Sequence, residues 1–176
     1  MKYILDFDRT LLDTKTCYEF IDKDRIGGFA TIPEVWEKYN SRDFLYEDVL
    51  SWLNTKDIKD LFILTASTPR YGSQASDYQK AKLQSGKFDE LVNEIIFMEG
   101  LKGNSVAETV QQFSPDETVV FVDDKIEQCL SVKSACPNVF CCLMVRDSSA
   151  RPEAEPLKDV FIVHSLKEVD AIIEAL

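Results

Sequence analysis

The sequence predicts an α/β protein: a Rossmann-like three-layer core with a mainly parallel sheet. Three observations predict this fold class. Short apolar runs rich in β-branched residues recur along the chain, and stretches with helical periodicity separate them. Several of these runs are apolar throughout, as expected for strands that are covered on both faces. Strands that alternate with helices in this way form βαβ units and parallel sheets.

Six strands are predicted in chain order, each from a short apolar run. They cover residues Tyr3–Phe7, Leu61–Thr65, Glu94–Met98, Thr118–Val122, Val139–Val145 and Val160–Val163.

Helix signals occupy the stretches after the second strand. Thr68 followed by Pro69 has the form of an N-cap with proline in the first turn, and Gly86 lies where that helix would end. Ser165 and Glu168 form a capping box ahead of the last helix. Two further helices are predicted from apolar stripes, which comprise Val106, Val110 and Phe113, then Ile126, Cys129 and Leu130.

One domain is expected over residues 1–176, with a small helical cap segment at residues 14–56 inserted between the first two strands. Helices are predicted near residues 16–24, 33–39 and 43–54 of this insertion. Its aromatic side chains have helical spacing, so most are expected to pack on the core, while one or two could line a pocket instead. These are Trp36, Tyr39, Phe44 and Trp52.

The composition restricts the partners and the compartment. With 20 basic and 31 acidic residues the formal net charge is −11, which disfavours binding to nucleic acid and to anionic membranes. No apolar stretch is long enough to cross a bilayer, and the first residues do not have the pattern of a signal peptide. A cytoplasmic protein is therefore expected. Its five cysteines form no CxxC pair, which disfavours a zinc site or a disulfide framework.

Two acidic pairs follow predicted strands. Asp6 and Asp8 close the first strand, and Asp123 and Asp124 close the fourth. Because ligands bind at the carboxyl ends of strands in open parallel sheets, these four residues are expected to meet there. Carboxylates gathered in one place repel one another, and a hard divalent cation such as Mg²⁺ would relieve that repulsion. Each pair by itself is also consistent with turn formation or helix capping.

Three further residues are candidates for phosphate binding. Thr65 ends the second predicted strand and Ala66 follows it, so a hydroxyl and free backbone N–H groups could hold a phosphoryl oxygen there, although Thr and Ser also cap helices. Lys102 precedes a predicted helix and could offset the charge of the acids and of a phosphate. Lys125, directly after the second acidic pair, is the competing candidate.

Taken in order, these elements resemble the haloacid dehalogenase-like hydrolase superfamily. Its first motif, DxDx[TV], is matched by Asp6-Phe7-Asp8-Arg9-Thr10, and its second, a strand ending in a hydroxyl residue, by Ile63-Leu64-Thr65. Lys102 is the best match to its third motif, and Val122-Asp123-Asp124 matches the fourth. The resemblance covers nearly the whole chain. It implies a Mg²⁺-dependent phosphatase that forms an aspartyl-phosphate intermediate.

The resemblance also implies a role for each matched residue. Asp6 is expected to be the nucleophile and Asp8 the general acid/base, whose pKa a neighbouring carboxylate would raise. The Asp6 side chain, the Asp8 backbone carbonyl and Asp123 are expected to bind the metal, and Asp124 is expected to bind it either directly or through water. The phosphoryl group is expected to contact Thr65, the N–H of Ala66 and Lys102.

The chain departs from the family pattern at Arg9, a position that is often glycine in the family. Its side chain could contact the substrate or form an outward salt bridge. The helical insertion is also short for a full cap. Two alternatives to a phosphatase stay open: a phosphotransferase or phosphomutase on the same scaffold, and a non-enzymatic binding or regulatory domain. The expected partner is a phosphorylated small molecule or a phosphoprotein.

Overall fold

A single parallel sheet forms the centre of the protein. The structure is a computed structural model that describes residues 1–21, 33–67, 73–147 and 159–175. Its six strands lie in the order β3-β2-β1-β4-β5-β6, and every neighbouring pair is parallel. The strands are β1 Lys2–Leu5, β2 Leu61–Ser67, β3 Glu94–Glu99, β4 Val119–Asp123, β5 Phe140–Met144 and β6 Val160–Val163. The six predicted strands and the α/β fold class are confirmed, with strand ends shifted by at most two residues.

Six α-helices accompany the sheet in the described residues. They are α1 Thr14–Ile21, α2 Glu47–Leu53, α3 Ser73–Ser85, α4 Gly103–Val110, α5 Ile126–Ala135 and α6 Leu166–Glu174. Successive strand residues point to opposite faces, so the sheet contributes to two apolar cores. One core joins Leu5 and Val122 to side chains of α2, α3 and α6, and the other joins Phe121 to side chains of α4 and α5. These helices and the sheet form the three predicted layers.

The strand order reverses at β1, which determines where a cleft can form. From β1 the chain moves to β2 and then β3 on one side, and it returns to β4 on the other side of β1. Helices that follow the two sets of strands therefore diverge above the carboxyl end of β1. Clefts in open α/β sheets form at such points of reversal.

The inserted segment is less helical than predicted. Residues Pro33–Glu37 and Ser41–Phe44 form 3₁₀-helices. The helix predicted over 43–54 is present as α2, Glu47–Leu53, and its start is four residues later than predicted because the chain is extended at Leu45 and Tyr46. Leu45 has extended backbone angles, and the Tyr46 N–H donates to the Leu11 carbonyl at 3.1 Å. Bonds to the loop after β1 thus replace helical bonds. The predicted first helix begins two residues earlier, at Thr14, and its predicted end lies outside the described residues.

Two of the later helices differ from prediction in detail. Of the stripe predicted on α5, Cys129 is buried and Ile126 packs against the core, whereas Leu130 is 43% exposed. The prediction is wrong at Leu130, because the inward row continues from Ile126 and Cys129 to Val132, at three-residue spacing. The start signal at Thr68 and Pro69 lies outside the described residues.

The predicted capping box is half formed. The Ser165 side chain accepts the Glu168 N–H at 3.3 Å, while Glu168 Oε2 accepts the N–H of His164 rather than that of Ser165. Among the residues that the structure describes, no helix is both long and apolar enough to cross a membrane.

Candidate active site

A cavity of about 450 Å³ opens at the carboxyl ends of β1, β2 and β4. All eight site residues predicted from the sequence line it. They are Asp6, Asp8, Arg9, Thr65, Ala66, Lys102, Asp123 and Asp124. The strand ends bring these residues together because parallel strands finish at one edge of the sheet.

The acidic side of the cavity, formed by Asp6, Asp123 and Asp124, is a candidate metal site. One carboxylate oxygen from each residue lies within 4.8 Å of the other two. Asp6 and Asp123 are buried, and Asp124 is half-buried. A cluster of oxygen donors of this kind suits a hard cation such as Mg²⁺. We call these three residues the acid cluster.

Lys102, the residue before α4, provides the positive charge next to the acid cluster. Its buried Nζ contacts Asp6 Oδ1 and donates to Asp123 Oδ2 at 2.7 Å. Its backbone N–H donates to Gln128 Oε1 at 2.8 Å, which holds the start of α4 against α5. The competing candidate Lys125 is exposed, and its backbone N–H, at 2.9 Å, is the group that contacts Asp123. Both lysines line the cavity, but of the two only Lys102 has its ammonium group in contact with the acid cluster in the described residues.

Crowding of charge alters the ionisation of the acid cluster. Burial and the neighbouring Asp6 carboxylate raise the pKa of Asp123 to about 7, against the opposing effect of Lys102. The same two causes raise the pKa of Asp124 to about 6. Burial would lower the pKa of Lys102, but the charges of Asp6 and Asp123 outweigh it and raise that pKa. One lysine does not neutralise three acids, so the cluster retains a capacity for further positive charge.

Asp8 also lines the cavity, and hydrogen-bond donors surround its carboxylate. Lys82 Nζ contacts both carboxylate oxygens, at 2.6 and 2.7 Å. Gln79 Nε2 donates to Oδ2 at 2.8 Å, and the Thr14 hydroxyl donates to Oδ1 at 2.9 Å. We call Thr14, Gln79 and Lys82 the donor cluster. It holds Asp8 by four contacts, which fix the orientation of its carboxylate.

The donor cluster reverses the ionisation predicted for Asp8. Burial would raise the pKa of Asp8, but the charge of Lys82 and the hydrogen bonds from Lys82, Gln79 and Thr14 lower it below its ordinary value. The expectation that a neighbouring carboxylate raises this pKa is wrong, because the nearest charge is a buried lysine instead. Asp8 is thus held as a carboxylate at neutral pH.

Thr65 and Ala66 occupy the part of β2 that extends beyond β1. The pairing of β1 with β2 ends at Leu5 and Ile63, whereas the pairing of β2 with β3 continues to Ser67. The Thr65 side chain is buried, and its hydroxyl oxygen accepts a hydrogen bond from Gln79 Nε2 at 2.7 Å.

Arg9 has a left-handed backbone conformation, with φ of 64°. Its N–H donates to the Leu12 carbonyl at 2.8 Å and to the Thr14 hydroxyl at 3.1 Å, so the backbone turns sharply after Asp8. Left-handed angles favour glycine, which accounts physically for glycine being common at this position in the family that the sequence resembles. The side chain is exposed at the cavity, and the described residues include no carboxylate in an ion pair with it.

Comparison with known proteins finds matches by structure but none by sequence. By sequence, no family model and no curated protein matches the chain. By structure, a haloacid dehalogenase-like hydrolase from Xanthomonas campestris matches with a TM-score of 0.62 at 12% identity, over 99% of this chain and 95% of the other. A candidate haloacid dehalogenase-like hydrolase from Burkholderia xenovorans LB400 matches with a TM-score of 0.64 at 15% identity, over 98% and 96%.

A third match is the D,D-heptose 1,7-bisphosphate phosphatase of B. bronchiseptica, whose structure contains magnesium and phosphate. Its TM-score is 0.57 at 13% identity, over the full length of both chains. The chain has the haloacid dehalogenase-like fold. The fold implied by the motif resemblance is therefore confirmed. Three of the four motif segments lie at strand ends, and the fourth, Lys102, lies at the start of α4.

Sequence reasoning missed seven polar residues that line this cavity or contact Asp8 in it. They are Thr14, Tyr18, Ser67, Tyr78, Gln79, Lys82 and Gln128. The spacing of Gln79 and Lys82 places them on one face of α3, since residues three apart on a helix are neighbours. That signal was weak because α3 is polar on most of its surface and has no clear apolar stripe.

Two tyrosines, Tyr18 of α1 and Tyr78 of α3, are among the lining residues. Tyr78 is buried, and its hydroxyl has no hydrogen bond of normal geometry, although the Tyr18 hydroxyl is close enough to influence its pKa. Trp36, Phe44 and Trp52 are buried in the core, as predicted for most of the aromatic set, and Tyr39 packs against it. Of the described residues in the insertion, Thr14 and Tyr18 line the cavity.

Proposed function

We propose that the protein is a Mg²⁺-dependent phosphomonoesterase that works through an aspartyl-phosphate on Asp6. The acid cluster is the observation that carries this proposal: carboxylate oxygens from two separate strand ends lie within 4.8 Å of one another. Thr65 and Lys102 line the same cavity. Phosphoryl transfer depends mainly on positioning and on neutralisation of charge, and this set of residues supports both.

The chemistry of the acid cluster fits magnesium. Asp6, Asp123 and Asp124 offer only oxygen atoms, and the raised pKa values of Asp123 and Asp124 indicate an unmet need for positive charge. We assign the metal to these three side chains together with the backbone carbonyl of Asp8. When bound, Mg²⁺ supplies the positive charge that a phosphoryl group and the clustered carboxylates require.

Asp6 is assigned as the nucleophile. One of its carboxylate oxygens forms a bond to phosphorus while the bond between phosphorus and the leaving oxygen breaks, which leaves the phosphoryl group on Asp6. Lys102 contacts Asp6 Oδ1 and is thus positioned to offset the charge of the phosphoryl oxygens. The Thr65 hydroxyl and the N–H of Ala66 are assigned to the same phosphoryl group.

Asp8 is assigned as the general acid/base. Its lowered pKa keeps it ionised at neutral pH, so it is available to accept a proton from water as water attacks the aspartyl-phosphate. The first step asks for a proton on the leaving oxygen, and an aryl oxide leaves with little need for one. Aryl phosphates are consequently the substrates that should turn over fastest.

The remaining cavity residues are assigned to the body of the substrate. Arg9 is exposed beside Asp8, and Tyr18 and Tyr78 also line the cavity. We propose that Arg9 contacts the substrate and that residues 14–56 act as a small cap. A phosphorylated small molecule or a phosphoprotein is the proposed partner, and nucleic acid is disfavoured by the net charge of −11.

Hydrolysis of p-nitrophenyl phosphate by the purified protein tests the proposal. Phosphate release is expected with Mg²⁺, and it should stop with EDTA and in Asp6→Asn. Asp89→Asn is a matched control, because Asp89 is exposed and precedes β3 at the opposite edge of the sheet. Activity that survives in Asp6→Asn, or that EDTA does not affect, would contradict the proposal. Transfer of the phosphoryl group to an added alcohol, instead of release of phosphate, would indicate a phosphotransferase.

A further inference from the structure

Gln79 connects Asp8 to Thr65 through one amide group. Its side chain is 6% exposed and lies on α3. Nε2 is 2.8 Å from Asp8 Oδ2 and 2.7 Å from Thr65 Oγ1. A buried amide that bridges an acid and a hydroxyl at these distances uses both of its N–H donors.

The chemistry of the partners determines which way the amide faces. The Asp8 carboxylate oxygen acts here as an acceptor, so the reversed amide would place two acceptor oxygens against each other. The NH₂ group must therefore face Asp8, and its second hydrogen then points to Thr65. Because the Thr65 oxygen accepts this hydrogen, the hydroxyl hydrogen of Thr65 must point in another direction.

Asp8, the carboxylate that orients Gln79, is itself held in one position. Lys82 contacts both oxygens of Asp8, and the Thr14 hydroxyl contacts Oδ1. Lys82 is 1% exposed, so its ammonium group is held in place by packing. Asp8 cannot rotate without breaking these contacts, and Gln79 is oriented by Asp8 in turn.

We propose that Gln79 is a positioning residue that directs the Thr65 hydroxyl hydrogen toward a phosphoryl oxygen in the cavity. Contacts pass from Lys82 to Asp8, from Asp8 to Gln79 and from Gln79 to Thr65. Thr65 is then left with its hydrogen available for the ligand, which suits an anionic acceptor. The inference rests on the proposed function, because it takes phosphate chemistry as the activity of the cavity.

A double-mutant cycle between Gln79 and Thr65 tests the proposal. The variants are Gln79→Met, which keeps the length of the side chain, Thr65→Ala, and the double variant. Binding of inorganic phosphate to the Mg²⁺-loaded protein is measured by calorimetry, with kcat and KM for p-nitrophenyl phosphate measured in parallel. Gln79→Met is expected to weaken phosphate binding about tenfold, as for a misdirected hydrogen bond to a charged acceptor. In the Thr65→Ala background the same substitution should change binding by less than about twofold.

Two further variants separate positioning from folding. Gln84→Met makes the same change at an exposed position of α3 and should leave phosphate binding unaltered. Gln79→Glu keeps the shape of the side chain but places a carboxylate next to both Asp8 and Thr65, so Thr65 should donate to Glu instead of to phosphate. Because the added charge also repels phosphate, the loss is expected to exceed that in Gln79→Met. If Gln79→Met fails to fold, Gln79→Glu is measured with and without the Thr65 hydroxyl, and only the part of the loss that requires this hydroxyl supports the proposal.

Equal losses from Gln79→Met with and without the Thr65 hydroxyl would overturn the proposal, since Gln79 would then act independently of Thr65. No loss in either Gln79 variant would also overturn it. Failure of the proposed function has a different signature. Wild-type protein that binds phosphate and obeys the cycle, yet hydrolyses no ester, would retain the positioning role and remove the enzymatic one.

Discussion

The acid cluster and Asp8 line one cavity, yet buried charge is handled in opposite ways at the two places. Asp6 and Asp123 share Lys102, Asp124 is influenced by the charges of Lys125, Arg9 and Lys102, and the pKa values of Asp123 and Asp124 still rise. Asp8 accepts hydrogen bonds from Lys82, from Thr14 and from the Gln79 amide that also bonds to Thr65, and its pKa falls. A group of acids with too little positive charge is prepared to bind a cation, whereas a fully satisfied acid is prepared to keep one orientation.

Lys102 and Lys82 differ in the exposure of the acids that they contact. Lys102 lies between acids whose side chains are 10% and 1% exposed, and Lys82 contacts an acid whose side chain is 32% exposed. Water can therefore replace part of what Lys82 provides but little of what Lys102 provides. The contrast suggests that Lys102 stabilises the folded protein and that Lys82 chiefly orients Asp8.

Asparagine substitutions of Asp6 and of Asp8 should have the largest and most distinct effects on kcat. Asp6→Asn removes the nucleophile and should lower kcat for p-nitrophenyl phosphate by roughly a thousandfold or more. Asp8→Asn should lower kcat by about a hundredfold or more, because it removes the base. In Asp8→Asn the phosphoryl-enzyme should accumulate, and intact-mass spectrometry would detect it. Equal losses without any phosphoryl-enzyme in Asp8→Asn would show that the two acids do not divide the two steps.

Methionine substitutions of the two lysines test the stability contrast. Lys102→Met leaves Asp6 and Asp123 buried without their cation and should reduce the free energy of unfolding by about 3 kcal/mol or more. Lys82→Met should cost about 1–2 kcal/mol, since Gln79, Thr14 and water still contact Asp8. Urea denaturation of the metal-free variants measures both. A larger loss in Lys82→Met would reverse our assignment of the two lysines.

The opposite pKa shifts predict opposite responses to pH. With pKa values raised to about 7 and about 6, the metal-free folded protein binds more protons at the acid cluster than the unfolded chain does between about pH 4 and 7. Stability from this cluster therefore falls as pH rises through that range. Asp8, with a lowered pKa, contributes stability that is lost as pH falls below about 4.

Saturating Mg²⁺ should reduce the loss of stability between pH 4 and 7, because the cation competes with protons for the acid cluster. Thermal unfolding across this range, with Mg²⁺ and with EDTA, measures the effect. A control is Asp89→Asn, which should follow the wild-type curve. Identical curves with and without the metal would contradict a cation site at the acid cluster.

Substitutions of Arg9 should have the smallest effect on the free energy of unfolding. Its left-handed backbone is strained for a side chain with a Cβ, so Arg9→Gly should be more stable than Arg9→Ala by about 1 kcal/mol. Both changes should raise KM for a substrate that the guanidinium contacts and leave kcat largely unaltered. Denaturation and steady-state kinetics of the two variants provide the measurements. An unchanged KM in both would remove Arg9 from the substrate site.

Prediction from sequence succeeded where the signal was local. Apolar runs located all six strands, and the acids after β1 and β4 were expected in one cavity because parallel strands end at one edge. Prediction was less accurate in the insertion, where the helix expected over 43–54 begins only at Glu47 and the N–H of Tyr46 bonds to Leu11 instead. Helical spacing is evident in the sequence there, but the competing bond is not.

The sequence by itself determined the parallel sheet and the positions of the acids, since strand pattern and order follow from residues that are near one another in the chain. Only the tertiary structure decided the ionisation of Asp8. The pKa of a carboxylate depends on charges within a few ångströms, and Lys82 and Gln79 reach Asp8 from a helix far along the chain. No periodicity or motif specifies that approach; the packing of α3 on the sheet does.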